Sequence, residues 1–222
     1  MNAPELPAAG TAGEAAAAPA RPVTKKELTL KFRGGVASLY LVETLGEWTG
    51  RQYERIHSAR RWDEWLRGAK LPKPPQRATE DELAQMRELR RAIYGVVQAV
   101  RAGHAPARGE VETINAFARE MPPPPQLSST GDKKRLGSPI SHAQVLGLIA
   151  QDAIDLLTGD LRHRIRACAS PVCPVLFVDK SRRGDRLWCS AACGARKATA
   201  KYRLRLAGRE LDEEAAFCVE QH

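Results

Sequence analysis

Apolar positions recur along this 222-residue chain with two periods, one near 3.6 and one of 2, and they divide it into helices joined by short extended pieces. Leu28, Leu30 and Phe32 alternate with Thr29, Lys31 and Arg33, which predicts a half-buried strand ending at Gly34-Gly35. A helix is expected over Val36 to Leu45, with Glu43 on the face defined by Leu39. Trp62, Trp65 and Leu66 mark a short helix closed by Gly68 and the Pro72 to Pro75 segment. Thr79 to Glu82 has the Thr-x-x-Glu form of a capping box, and Leu83, Met86, Leu89 or Arg90, Ile93, Val97 and Val100 then follow at helical spacing up to Gly103. Gly95 inside that helix implies a close packing neighbour, because glycine there costs about 1 kcal/mol relative to alanine.

Val111, Ile114, Phe117 and Met121 predict a second amphipathic helix, ended by the prolines at 122 to 125. A weak hairpin is expected from Gln126 to Gly137 around Gly131-Asp132. The last long helix, Ser141 to Leu157, presents a wide apolar face and stops at Gly159. Residues 1–24 are rich in Ala, Pro and Gly with few large apolar side chains, so disorder is expected there.

Charge changes the picture. The net formal charge is +9, but residues 162–206 carry twelve Lys and Arg against only Asp179 and Asp185, while Glu210, Asp212, Glu213, Glu214 and Glu220 make the tail acidic. So local a concentration of base is the footprint expected of a partner for polyanions. The N-terminus has no charged start followed by an apolar core, and no run is long enough to span a bilayer, so a soluble, cytoplasmic protein without a membrane partner is expected.

The basic stretch also holds four of the five cysteines. Cys168 and Cys173 form a Cys-x4-Cys pair and Cys189 and Cys193 a Cys-x3-Cys pair, fifteen residues apart. In a reducing cytoplasm such pairs suit tetrahedral zinc better than disulfides, and four protein ligands make the ion structural. A redox dithiol or four unrelated thiols are the alternatives. Cys218, in the acidic tail, reads as an idle thiol. Strand-like runs at Val175 to Val178 and Leu187-Trp188 around the Lys180 to Asp185 turn predict a hairpin that returns the second pair to the first. Ser190 would cap a following helix.

On that helix Lys197, Lys201 and Arg205 form one stripe, and Arg182, Arg183 and Arg186 sit in the expected turn. With Arg196 and Arg203 these are the candidate nucleic-acid contacts, a solvated charged face being the alternative. Glu43 is the one N-terminal acid placed for ligand sensing, against the plainer reading of a boundary carboxylate paired to an arginine. His57, His104, His142 and His163 are scattered and read as surface or boundary residues, and no assembled acid-base set marks an enzyme.

The run Arg164 to Cys168, then Cys173, Leu176 to Asp179, Ser181 to Arg183, Trp188 to Ser190 and Cys193 to Arg196 resembles the CGNR zinc finger. Gly34-Gly35 followed by Leu39 to Thr44, then Arg87 to Tyr94 and Ile114-Asn115, is similar to the ABATE domain that accompanies that finger. The sequence departs from the pattern where Ala195 replaces the Asn of the finger's name motif and where Tyr40 and Glu43 replace an Asp and an Asn. The resemblance implies a stress-induced transcription regulator that binds DNA, with one structural zinc ion.

The expected fold is α+β: a disordered segment 1–24, a mostly helical domain 25–160 with a minor β-sheet, a treble-clef-like zinc module 161–207 of β-hairpin plus helix, and an acidic tail 208–222. The expected function is DNA binding by that module, with sensing or assembly by the larger domain. The alternative is a protein-interaction module with a purely structural zinc, its basic face meeting an acidic protein partner or the chain's own tail.

Overall fold

The computed structural model describes residues 21–170, 173–195 and Thr199. The α+β architecture is as expected: five α-helices and three two-stranded antiparallel sheets among these residues. Arg196, Lys197, Lys201, Arg203, Arg205, Cys218 and the acidic tail lie outside them, as does most of the 1–24 segment.

The long helices form where their caps are written. Helix α3, Glu80–Arg101, starts at a complete capping box between Thr79 and Glu82. Helix α5, His142–Thr158, starts at a second one between Ser141 and Gln144. With α4, Arg108–Ala118, they pack against one another, and α1, Ala37–Val42, lies on α3 and α5. Helix α2, Ala59–Gly68, packs on α3 and buries the stacked rings of Trp62 and Trp65. The close neighbour implied by Gly95 is the carboxyl group of Glu110 on α4.

Several expectations change. Helix α1 is shorter than Val36 to Leu45, with Val36 as N-cap and Glu43 as C-cap. Its own sequence supplies no capping side chain, and Asp152 of α5 instead accepts from the Ser38 amide at 2.8 Å. Residues 28–32 form no strand: a turn folds the chain at 24–28, and the Arg33 amide is taken by the Glu43 carboxylate rather than by a ladder. Leu30 and Phe32 still pack against the core. On α4 only Ile114 is buried and Val111 is exposed, and the helix ends at Ala118, so Met121, also exposed, lies beyond it. His142 is a core residue: Trp62 Nε1–H donates to its Nδ1 at 3.1 Å, so its Nε2–H faces the Gln76 carbonyl.

The hairpin β3, Pro125–Leu127, with β4, Lys134–Leu136, closes through Gly131, whose φ of 74° needs glycine. The small pair β1, Leu45–Gly46, and β2, Tyr53–Glu54, is fixed to α3 by the buried Arg90, which grips both Glu54 oxygens and the Thr44 hydroxyl. The third pair, β5 Ile165–Ala167 and β6 Leu176–Val178, carries the metal module.

At Gly147 of α5 a Cβ would run into the backbone carbonyl of Glu120, just past the end of α4. Gly147→Ala is expected to destabilise the protein by about 1–3 kcal/mol in chemical denaturation. Gly109→Ala, where a Cβ meets nothing within 4 Å, is expected to be neutral or stabilising by up to about 1 kcal/mol.

Candidate metal centre

The metal module is built from strand geometry. Along β6 the side chains alternate, so Leu176 and Val178 enter the helical core while Val175 and Phe177 line the cysteine cluster. Ile165 stands opposite Val178 and shares its core, whereas Arg166 stands opposite Phe177. The first cysteine pair sits in the connection between β5 and β6, where Cys168 N–H donates to the Val175 carbonyl and Cys173 N–H to that of Ser170.

The hairpin therefore joins the strands on either side of the first pair and does not run between the two pairs. Leu187 contributes only its carbonyl, to the Ala169 amide, and no strand forms at 187–188. The reason is Asp179. It is fully buried and accepts from the amides of Ser181 at 2.9 Å and Arg186 at 2.7 Å, which folds 179–186 into a loop and withdraws those amides from a ladder. Burial alone would raise the Asp179 pKa, but the bonds from Ser181 and Arg186 outweigh it and hold it at about 2. Arg164 closes the loop from outside by donating to the Ser181 carbonyl at 2.6 Å. Cys189 ends this loop, and Cys193 lies in the helical turn at 191–195, with its amide on the Ser190 carbonyl.

These elements bring all four sulfurs within 4.8 Å of one another, buried, with Cys173–Cys189 and Cys189–Cys193 separations of 3.7 Å. Bonds of about 2.3 Å to a central ion give a tetrahedron with edges of about 3.8 Å, so the cage has the size zinc requires. The backbone amides of Ser170 and Cys189 lower the pKa of Cys168, and that of Val175 acts the same way on Cys173. These donors stabilise thiolate. The four cysteines are positioned to bind one structural zinc ion, and they leave no position for a reacting water.

Sequence reasoning missed one member of the site. Arg33, from the segment before α1, directs Nη1 at the sulfurs of Cys173, 3.6 Å away, and Cys193, 3.9 Å away. Glu43 holds it, accepting from its Nε at 2.7 Å and its amide at 2.8 Å. Both Glu43 oxygens are thus engaged by Arg33. The only sequence hint was an acid on a core-facing helix position in need of a cation. Tyr40, at the other departure from the family pattern, packs edge to face on Phe32. Lys180 Nζ donates to the Gly35 carbonyl and the Val178 amide to that of Gly34, so metal module and helical body meet along one seam.

Arg182 and Arg183 are exposed on the 179–186 loop. Arg186 lies over the Phe177 ring at 5.4 Å and donates to the Trp188 and Cys189 carbonyls. A groove of about 630 Å³ runs beside it, lined by Arg101 of α3, Arg162, His163, Arg166 and Arg186, with Asp185 the one acid in its wall among the described residues. Burial draws the Arg101 pKa down, Tyr94 opposes this, and Arg166 adds to it.

Without metal the thiols share their protons. Bonds from Cys173 and Cys189 draw the Cys168 pKa down, while Cys173, whose proton serves Cys168, is pushed up to about 11 and Cys189 rises likewise. Zinc must displace at least the protons of Cys173 and Cys189 at neutral pH. Apparent affinity should therefore fall by at least about a hundredfold per pH unit as pH drops below 8, in competition with a chromogenic chelator. Cys173→Ser should lose stoichiometric zinc altogether, and a variant that kept it would refute the four-sulfur assignment.

Among the described residues no helix is long and apolar enough to cross a membrane. Residues 35–160 match the ABATE family, described as "Putative stress-induced transcription regulator", and residues 164–206 match the CGNR zinc finger. Both descriptions are of a regulator and a zinc finger rather than of an enzyme. A search of curated proteins finds no match. With a match over more than half its length and a second over the cysteine module, the chain belongs to the ABATE family and carries a CGNR zinc finger.

Proposed function

We propose that this is a zinc-dependent DNA-binding protein of the cytoplasm, a transcription regulator in which the metal module presents arginines to the phosphate backbone. The observation that carries the reading is the groove between α3 and the zinc module, where, among the described residues, four arginines converge around a single aspartate. Guanidinium groups held at fixed spacing on a rigid scaffold bind phosphates with little further ordering. Arg101, Arg162, Arg166 and the exposed Arg182 and Arg183 are the assigned contacts within the described residues. Arg186 is assigned chiefly to holding the loop, since its donors already serve the Trp188 and Cys189 carbonyls. Arg196, Lys197, Lys201, Arg203 and Arg205, which lie outside the described residues, are further phosphate contacts in this proposal. The ABATE description supports a regulatory role.

Binding of the zinc-loaded protein to random duplex DNA is expected to fall with salt along a log-log slope of about −4 to −6, as roughly four to seven neutralised phosphates require at about −0.9 each. Arg166→Gln should reduce that slope by about 1 and weaken all duplexes alike. Absence of duplex binding at low salt would reject the proposal and leave a protein-interaction module as the reading of the finger.

A further inference from the structure

A second basic cavity, of about 790 Å³, opens on the other side of the first cysteine pair's connection, between the segment before α1, the β1–β2 pair and the wall formed by Cys173 to Val175. Its cations are not matched in the way buried charge usually is. Arg55 is only 3 % exposed, yet its donors end on uncharged acceptors: the Glu27 carbonyl at 2.7 Å, the Glu43 carbonyl at 2.6 Å and the Tyr53 hydroxyl at 3.1 Å. Among the described residues no carboxylate lies within ion-pair distance of it. Lys31, half-buried on the same wall, makes no hydrogen bond or ion pair among the described residues, and burial, then Arg33 and Arg55, draw its pKa down. Lys26 adds a third cation at the rim.

The acids of the cavity are already engaged. Glu43 is held by Arg33, and Glu27 and Glu47 are both gripped by Arg51. A loaded cage of four thiolates and one zinc carries a charge of about −2 and offsets part of the surplus. It does so through Arg33, the cation that reaches the sulfurs, and through the nearness of Cys173 to Lys31. A buried guanidinium and a half-buried ammonium with acids nearby but no directly paired carboxylate are costly with nothing bound, and an anion between them lowers that cost.

We propose that this cavity binds a compact oxyanion, a phosphate or a small dicarboxylate, between Lys31 and Arg55. The anion accepts from the Lys31 ammonium and stands against the guanidinium of Arg55, with Lys26 closing the rim. Glu43 orders the wall through Arg33 and does not meet the ligand with its carboxylate. Tyr53 is taken up by Arg51 and Arg55, which lie over its ring at 5.3 and 4.9 Å, so the site has no free aromatic face for a base or other planar ring.

The inference stands apart from the DNA reading, and titration calorimetry on the zinc-loaded full chain tests it. Inorganic phosphate and succinate are titrated separately, and binding of either tighter than about 1 mM supports the site and tells phosphoryl from dicarboxylate preference. Lys31→Gln removes a side chain without hydrogen bonds, so zinc content and duplex binding should be unchanged while anion affinity falls about tenfold or more. Arg166→Gln, in the other groove, should leave anion affinity as it is. Failure of both probes to bind overturns the proposal, as does wild-type affinity in Lys31→Gln or loss of anion binding in Arg166→Gln.

Discussion

Strand β6 belongs to two interiors at once. Leu176 and Val178 are buried in the core of the helical body, and Val175 and Phe177 against the four cysteines. Three residues of β6 and the one before it therefore serve two folding problems, and neither interior can be rearranged without moving the other. The metal fixes the turn that precedes β6, Asp179 fixes the loop that follows it, and the Val178 amide ties the strand to Gly34 at the entrance to α1. A module of this size cannot bury enough apolar surface to hold itself, and here it borrows from the larger domain as well as from zinc.

The same seam explains the electrostatics. Arg33 crosses it to face the sulfurs, Glu43 holds Arg33, and the Glu43 carbonyl in turn receives Arg55. The metal site is thus continuous with a chain of charged groups inside the helical body. Both basic recesses lean on the zinc module. One uses the 184–187 loop and β5, and the other uses the wall beginning at Cys173. Zinc shapes the two surfaces without taking part in chemistry at either.

What the sequence made legible was whatever is written locally. The Thr79 to Glu82 box, the glycine turn at 131 and the cysteine spacing each depend on residues a few positions apart, and each stands in the structure. What escaped depends on partners far along the chain. The alternation at 28–32 is a strand pattern, but the Arg33 amide finds a carboxylate ten residues on. The runs flanking 180–185 pair no further because a buried Asp179 captures the loop amides. The Arg33 approach to Cys173 spans 140 residues, and His142 is drawn into the core by a tryptophan 80 residues earlier. No local period reports such pairings.

The central claim is that metal module and helical body form one cooperative unit through β6 and Arg33. Hydrogen exchange on the full chain, with zinc and after its removal by a chelator, tests it most directly. The account predicts that stripping zinc exposes the amides of 165–170 and 173–178 and also those of Arg33, held by the same Glu43 that grips its side chain, and of the first turn of α1, which follows the Gly34 and Gly35 carbonyls that pair across the seam. Loss of protection confined to the cysteine module, with Arg33 and α1 as protected as before, would contradict it.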